Sequence, residues 1–278
     1  MLTVLLKLPR RIAGKIRNVC VIAVKKMKLT FAFNLHRFAL YLRVKSCRLL
    51  SGGEKSPQAA SYEFSNNLLT LHKKIYNLLL LQKNNYKHYA YFSGYPYQSL
   101  GILNVFGDRG TEERFEAYEL AKWIKSSDTI LDIGCNCGFM SIFTSFRTGC
   151  SAEGIDINPH MISIGNEVAA YLNLSDKVKL ITGDFKEFKC AKIYSVIFSF
   201  ATHWTDDKNY RVSLDEHFSK LHTLLQSNGL LVFESHYNDV GQESFYDSIN
   251  RSSELFRIEE KKILENGCRE FYYMRKID

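Results

Sequence analysis

The chain has 278 residues, of which 46% are hydrophobic and 24% charged, and this ordinary globular composition excludes a mainly disordered or fibrous protein. Its formal net charge of +8 is unevenly distributed, because the first 50 residues contain 12 Lys and Arg and no acidic residue. The remaining residues carry 25 basic and 29 acidic side chains and are mildly acidic. Seven scattered cysteines in a chain of this size favour a reducing compartment over a disulfide framework.

Residues 1–50 form a basic arm in which apolar residues are interleaved with Lys and Arg. No charge-free run in the arm approaches the ~20 apolar residues of a membrane-spanning helix. Bases interrupt the apolar stretch, which disfavours a signal peptide, and Ser46 is the single serine, which disfavours a mitochondrial presequence. The pattern is typical of a helix on an anionic membrane surface. The alternative is a basic face packed on the acidic body, or a poorly ordered tail.

The composition divides the chain into two regions. Small and polar residues at 51–61, with Gly and Pro, predict a linker, so that residues 1–57 are a helical basic arm with its linker. Residues 58–278 are then one globular domain. Its first part, 58–125, carries helices and a loop, and its second part, 126–278, is an α/β core.

Two helices are predicted in the first part of the domain. Leucines at helical spacing predict a packing helix around residues 68–81, followed by a loop rich in Tyr and Gly over residues 89–110. A second amphipathic helix is predicted from about Thr111 to Lys125. It starts with two acidic residues, which suit the N-terminus of a helix.

From residue 129 onward, strand and helix patterns alternate. The predicted strands are 129–133, 152–157, 177–182, 192–200, 230–234, 255–263 and 269–275, and the predicted helices are 138–146, 159–172 and 214–226. The last two strands are predicted to form a hairpin, with Asn266 and Gly267 at its turn. The alternation predicts a Rossmann-like, doubly wound α/β fold with a mostly parallel seven-stranded sheet and a final antiparallel strand.

The best-specified site is TILDIGCNCGFMSI, residues 129–142, where an apolar strand is followed by a turn and a helix. Gly134 permits a tight turn and close approach of a ligand, and Gly138 lets the helix begin close to the strand. The patterns of dinucleotide loops and Walker loops are absent. The stretch resembles the first motif of class I S-adenosylmethionine-dependent methyltransferases, D-x-G-x-G-x-G, with Asn136 at the middle glycine.

The resemblance continues in order along the chain. In EGIDINPHMI, Asp156 matches the acid that binds both ribose hydroxyls, and in LITGDFKEF, Asp184 and Phe185 match the contacts to adenine. YSVIFSFATHW matches the fourth strand, whose end faces the methyl group, and LLQSNGLLVFESH matches the fifth. The resemblance implies S-adenosylmethionine as cofactor, bound by Asp132, Gly134, Cys135, Asn136, Gly138, Asp156, Ile157, Asp184, Phe185 and Phe200.

Two details qualify the motifs. The family's fourth strand usually opens with Asp before Val-Ile, whereas Ser195 stands there in this chain, which raises a question about activity rather than about fold. No metal is expected, because Cys135 and Cys137 lack the further cysteines or histidines of a structural zinc site.

Candidate catalytic residues follow the predicted strands. An alcohol acceptor needs a base, and His203 in FATHWTDD and His236 in VFESH are candidates, the alternative being a structural or substrate-orienting role. Glu234 would face the same rim, and Trp204 could form an apolar or stacking wall. The Asn/Asp-Pro-Pro-Tyr/Phe motif of base-amine methylases is absent, which favours O-methylation, or N-methylation of a small molecule.

A short similarity of residues 107–115 and 233–236 to uncharacterised methyltransferases found with bacterial surface-glycan assembly genes suggests a sugar or lipid-linked glycan as acceptor. Arg109 and Arg114 would then hold a carboxylate or phosphate, unless they form surface ion pairs on an acidic helix. The expected location is cytoplasmic, or peripheral on the inner face of a membrane through residues 1–50.

Two other functions stay open. An RNA methyltransferase could grip phosphates with its arm, although the acidic body makes nucleic acid a less favoured partner. A non-catalytic protein could keep only the donor pocket. The sequence leaves the acceptor atom and the oligomeric state undetermined.

Overall fold

The structure is a computed structural model. It describes residues 57–85, 96–204, 212–264 and 267–278, together with positions 31, 35, 38, 39 and 42. Predictions for the rest of the arm, the first part of the linker, residues 86–95 and Asn266 of the hairpin turn lie outside the described residues.

Seven helices and seven sheet strands are labelled here in chain order. The helices are α1 (Pro57–Asn85), α2 (Thr111–Ala117), α3 (Leu120–Trp123), α4 (Phe139–Thr148), α5 (Pro159–Tyr171), α6 (Leu214–Leu224) and α7 (Glu243–Arg251). The strands are β1 (Thr129–Ile133), β2 (Ser151–Asp156), β3 (Val178–Thr182), β4 (Tyr194–Phe200), β5 (Leu225–Glu234), β6 (Phe256–Leu264) and β7 (Arg269–Lys276).

The strand order of the sheet is β3-β2-β1-β4-β5-β7-β6. Strands β1 to β5 pair in parallel, and β7 runs antiparallel to both of its neighbours. This confirms the predicted doubly wound α/β fold. The direction of winding reverses at β1, so a crevice opens at the carboxyl ends of β1 and β4, where open α/β sheets bind their ligands.

Near-continuous apolar runs explain why the central strands form. In β1, Ile130, Leu131 and Ile133 are buried, and in β4 the residues from Val196 to Phe198 are buried, as expected of parallel strands covered on both faces. The packed central strands therefore bring the residues at their carboxyl ends to one end of the sheet.

Several predicted boundaries are wrong. The single helix from Thr111 to Lys125 is two helices, broken at Glu119, which has a left-handed φ of 52°. The break follows Tyr118, whose ring is buried and stacks on Phe271 with centroids 4.3 Å apart. We attribute the end of α2 to the packing of that ring, which the helical spacing of residues 111–125 does not predict.

Three further differences have local causes. The predicted linker 51–61 is helical from Pro57, because proline suits the first position of a helix. Strand β5 starts at Leu225, directly after α6, and not at Leu230. Helix α7 was not predicted, since only Phe245 and Ile249 supply its buried apolar side.

The chain divides into two compact units, residues 1–108 and 109–278. In the first, α1 buries Leu68, Ile75 and Leu79, which confirms the predicted packing helix. The second unit contains the sheet and the whole of the site described below. No helix among the described residues is both long and apolar enough to cross a membrane.

Candidate active site

The loop after β1 holds three residues in the left-handed region of backbone conformation. Gly134, Asn136 and Gly138 have φ values of 61°, 55° and 64°. A Cβ at Gly134 would lie 2.6 Å from the Thr202 side chain, and one at Gly138 would lie 2.6 Å from Leu180, so both positions require glycine. Asparagine tolerates this region better than most residues, which explains how it can occupy the middle glycine position of the motif.

The carboxylate of Asp156 ties the loop after β2 to the loop after β1. Its Oδ2 accepts the backbone N–H of Asn136 at 2.8 Å, and its Oδ1 accepts the backbone N–H of Asn158 at 2.8 Å. The Asn136 side-chain oxygen is buried, without a hydrogen-bond partner among the described residues. The loops after β1 and β2 therefore form a backbone cradle, and the oxygens of Asp156 and Asn136 are the polar acceptors at it.

Asp132 is the second-last residue of β1, and its side chain is buried against α4. The Ser141 hydroxyl donates to its Oδ2 at 2.6 Å. Burial raises the pKa of Asp132 to about 7. The side chain thus joins a strand to a helix and sits close to its titration point at physiological pH.

Replacing Asp132 by Asn is expected to change how stability depends on pH. The folded-state pKa of about 7 lies above the unfolded value, so the native state binds more protons between about pH 4 and 7, and wild-type stability falls as pH rises through that window. The amide cannot ionise and still accepts from Ser141. Urea unfolding should show a variant more stable than wild type by roughly 2–4 kcal/mol at pH 8, with the gap closing at pH 4. An equal gap at both pH values would contradict this account.

The adenine-contact candidates lie on the other side of the cradle, after β3. The Phe185 ring meets the His217 ring edge-on with centroids 5.9 Å apart, and Lys220 Nζ lies 4.4 Å from the Phe185 centroid. His217 is hydrogen-bonded to Ser199 at 2.9 Å, and burial lowers its pKa to about 3. His217 is therefore neutral at physiological pH. Asp184 accepts a backbone N–H two residues along the chain at 2.8 Å, which fixes the turn.

The two histidines differ in what holds them. His203 Nε2 lies 2.9 Å from Asp239 Oδ2, and the two side chains are 5% and 6% exposed. Because a carboxylate only accepts, Nε2 is the nitrogen that donates to Asp239. Nδ1 is buried and lacks a hydrogen-bond partner among the described residues. In contrast, His236 Nδ1 accepts the backbone N–H of Asn238 at 3.2 Å. His203 is therefore held through Nε2 by a buried carboxylate.

Glu234, the last residue of β5, forms ion pairs with three arginines. Its carboxylate lies 3.1 Å from Arg109, 3.3 Å from Arg114 and 3.3 Å from Arg269. Burial acts to raise the pKa of Glu234, but the guanidinium groups of Arg114, Arg109 and Arg269 outweigh it and hold that pKa below its usual value. Arg114 also lies over the Phe200 ring, 5.3 Å from its centroid. The predicted alternative of surface ion pairs is corrected, because the shared partner is buried.

Ser195 lies at the amino end of β4, whereas the candidate site residues lie at the carboxyl ends of the parallel strands. Its hydroxyl accepts the Thr129 backbone N–H at 2.9 Å and donates to Asp128 at 2.8 Å. A carboxylate is therefore present at this end of the strands, and Asp128, the residue before β1, supplies it. Ser195 therefore makes structural contacts between β1 and β4, at the end of the strands away from the candidate site residues.

Changing Ser195 to Ala is expected to lower the free energy of unfolding by roughly 1–2 kcal/mol, because the part-buried Thr129 N–H loses its acceptor. Affinity for the donor should stay at the wild-type value. Ser227→Ala is a matched control, since Ser227 is exposed and its hydroxyl donates to the exposed Asp278 side chain. Urea unfolding and calorimetry with S-adenosylhomocysteine measure the two quantities. Loss of donor affinity in the Ser195 variant would contradict the assignment.

Most predicted site residues lie at or just after the carboxyl ends of β1, β2, β4 and β5, and therefore at one end of the sheet. Ile157 directly follows Asp156, Cys135 is buried within the cradle, and Trp204 lies in the same 3-10 turn as His203. The partners Asp239, Arg269 and His217 were missed. Asp239 follows the candidate His236 by three residues, and this closeness in sequence is the signal that could have indicated a carboxylate at the carboxyl end of β5.

Comparison with known proteins assigns the family. The model of a family described as a methyltransferase domain matches residues 124–273. A sterol 24-C-methyltransferase of Pneumocystis carinii is 29% identical over 112 residues, which cover 38% of this chain and 27% of the relative. A geranyl diphosphate 2-C-methyltransferase of Saccharopolyspora erythraea is 27% identical over 179 residues, which cover 59% of this chain and 60% of the relative. The chain thus spans less than two thirds of either relative.

Solved structures include similar chains. The PH0226 protein of Pyrococcus horikoshii gives a TM-score of 0.49 at 16% identity, over 60% of this chain and 91% of that chain. A SAM-dependent methyltransferase of Thiobacillus denitrificans, in complex with S-adenosyl-L-homocysteine, gives 0.40 at 20% identity, over 44% and 48%. Because the family model covers more than half of the chain, the protein belongs to the methyltransferase domain family as a class I methyltransferase, with S-adenosylmethionine as its cofactor.

Proposed function

We propose that the protein transfers a methyl group from S-adenosylmethionine to a hydroxyl of a sugar, a lipid-linked glycan or another small molecule. The observation that carries the choice of a hydroxyl is the His203–Asp239 pair at the end of β4. A hydroxyl must lose a proton as it is methylated, and a histidine oriented by a carboxylate is suited to accept it.

The described residues fit the cofactor. Asp156, at the end of β2, supplies a carboxylate that can accept from ribose hydroxyls, and Phe185 supplies an aromatic ring at the turn after β3. The left-handed backbone at Gly134 and Gly138 gives the loop after β1 its tight turn, and a Cβ at either position would collide with Thr202 or Leu180. Asn136 presents a buried side-chain oxygen at the same cradle, and no described residue hydrogen-bonds to it. When bound, S-adenosylmethionine supplies an electrophilic methyl group on sulfur, which needs no activation by the protein.

The chain's own task is to orient the acceptor and to take its proton. We place the acceptor hydroxyl against His203 Nδ1, so that Nδ1 would take its proton as the oxygen bonds to the methyl carbon, the sulfur–methyl bond breaks and S-adenosylhomocysteine is left. Asp239 keeps the other nitrogen protonated and stabilises the imidazolium that results. His217 supports this step because it is neutral and adds no second positive charge beside His203, whose ring centroid is 6.1 Å away.

Several features support the proposed class of acceptor. The end of β4 lacks the motif of base-amine methylases and carries Thr202 and His203 instead. Arg109 and Arg114 lie on Glu234 at the neighbouring strand end, where they add positive charge for an anionic donor or acceptor group. The basic arm favours an enzyme on the cytoplasmic face of a membrane, where lipid-linked glycans are built.

A labelling experiment tests the proposal. The purified full chain is incubated with S-adenosylmethionine carrying a carbon-13 methyl group and with separate lipid, polysaccharide and RNA fractions. We expect label in the lipid or polysaccharide fraction, with the carbon chemical shift of a methoxy group. Label confined to RNA would overturn the acceptor class. Binding of S-adenosylhomocysteine without turnover on any fraction would indicate a non-catalytic protein.

Methylation of carbon is the second candidate. The two curated relatives described above are named as carbon methyltransferases, and one of them acts on geranyl diphosphate. The same pair, His203 and Asp239, could remove a proton from carbon after the transfer. The carbon-13 shift distinguishes the two reactions, because a methyl group on carbon resonates far upfield of a methoxy group.

A further inference from the structure

Four apolar residues of the basic arm form an exposed stripe. Phe31, Leu35, Phe38 and Leu42 are helical, and their exposed fractions are 67%, 54%, 57% and 48%. Their spacing of four, three and four residues is that of a single face of a helix. We define these four residues as the arm stripe.

The same compact unit shows how such spacing behaves when it packs. In α1, Leu68, Ile75 and Leu79 recur at helical spacing and are buried. The arm stripe has comparable residue types and comparable spacing, yet each of its members is about half exposed or more. Large apolar residues on one exposed helix face mark a surface that meets a partner.

The charge of the arm identifies the kind of partner. Residues 1–50 contain 12 basic and no acidic residues, whereas the rest of the chain is net acidic. An exposed apolar face combined with acid-free, Lys- and Arg-rich sequence provides the two signals that stable binding to an anionic bilayer requires. A nucleic acid would account for the charge but would leave the apolar stripe without a role.

We propose that the arm stripe inserts into the interfacial region of an anionic lipid bilayer, with the arm's Lys and Arg held at the headgroups. The inference extends the proposed function, because it names the surface at which the enzyme meets its acceptor. It involves no bond formation and does not depend on the identity of that acceptor.

The test uses the full chain and vesicles of phosphatidylcholine with or without phosphatidylserine, in a co-sedimentation assay. The stripe variant changes Phe31, Leu35, Phe38 and Leu42 to Ser and keeps every charge. The matched control changes Ile263 and Tyr237 to Ser, two exposed apolar residues on the second unit. We expect wild type and control to bind phosphatidylserine vesicles, more weakly in high salt, and the stripe variant to bind at least about 10-fold more weakly.

The outcomes separate this inference from the proposed function. Calorimetry with S-adenosylhomocysteine should give the same affinity for all three proteins, which also shows that each is folded. Equal vesicle binding by wild type and stripe variant would overturn the inference, as would binding that ignores phosphatidylserine. It would also be overturned if wild type bound single-stranded RNA but no vesicles. In each of these cases, intact donor binding would leave the methyltransferase assignment standing.

Discussion

Replacing Asp156 by Ala is expected to weaken binding of S-adenosylhomocysteine by about 10²-fold or more. Two hydrogen bonds from ribose hydroxyls to a carboxylate contribute roughly 1.5–3 kcal/mol each, and both are lost. The variant also releases the backbone N–H groups of Asn136 and Asn158, so the cradle itself loses its brace. Isothermal titration calorimetry of the purified full chain measures the change.

The conservative variant Asp156→Asn separates these two effects. The amide keeps one acceptor oxygen and the side-chain shape, but it loses the charge and places a donor against one backbone N–H. We expect an affinity between those of wild type and Asp156→Ala. Asp215→Ala is a matched control, because Asp215 is an exposed acid that pairs with Arg251 on the surface. Wild-type affinity in Asp156→Ala would refute the ribose assignment.

Replacing His203 by Gln is expected to lower kcat by about 10²–10⁴-fold, the usual loss when a general base is removed, with donor affinity unchanged. Asp239→Asn should produce a comparable loss by another route. Its amide oxygen can keep both contacts of Asp239 Oδ2, to His203 Nε2 and to the backbone N–H of His236, but the negative charge that would stabilise the imidazolium is lost. A quenched-flow or steady-state methyl transfer assay separates kcat from KM.

His236→Gln is the comparison for both variants. Its Nδ1 accepts the local backbone N–H of Asn238 and its ring packs against Tyr237, so we expect its loss to reduce kcat by less than about 10-fold. If His236→Gln lost more activity than His203→Gln, the two histidines would have to exchange roles. An unchanged kcat in both would indicate an acceptor that needs no base, such as an amine.

The donor half of the site was predictable because its residues lie within short motifs. Gly134, Asn136 and Gly138 follow one strand, and Asp156 ends the next, so chain order alone brings them to one edge of a parallel sheet. The alternation of strands and helices likewise predicted the sheet, because each buried strand reads as an apolar run.

The acceptor half depends on contacts between distant residues. Asp239 reaches His203 across 36 positions, and Glu234 meets Arg109 across 125. Neither pair has a fixed spacing that a motif could report. Glu119 also illustrates the limit, since its left-handed φ arises from burial of the preceding Tyr118 and not from its own residue type.

The most direct test of the account is a crystal structure of the protein with S-adenosylhomocysteine. We predict that both ribose hydroxyls lie within hydrogen-bond distance of the Asp156 carboxylate, that the adenine ring packs beside Phe185, and that the sulfur faces the end of β4 at His203. A nucleoside bound away from the loop after β1, with Asp156 contacting only backbone N–H groups, would contradict the account.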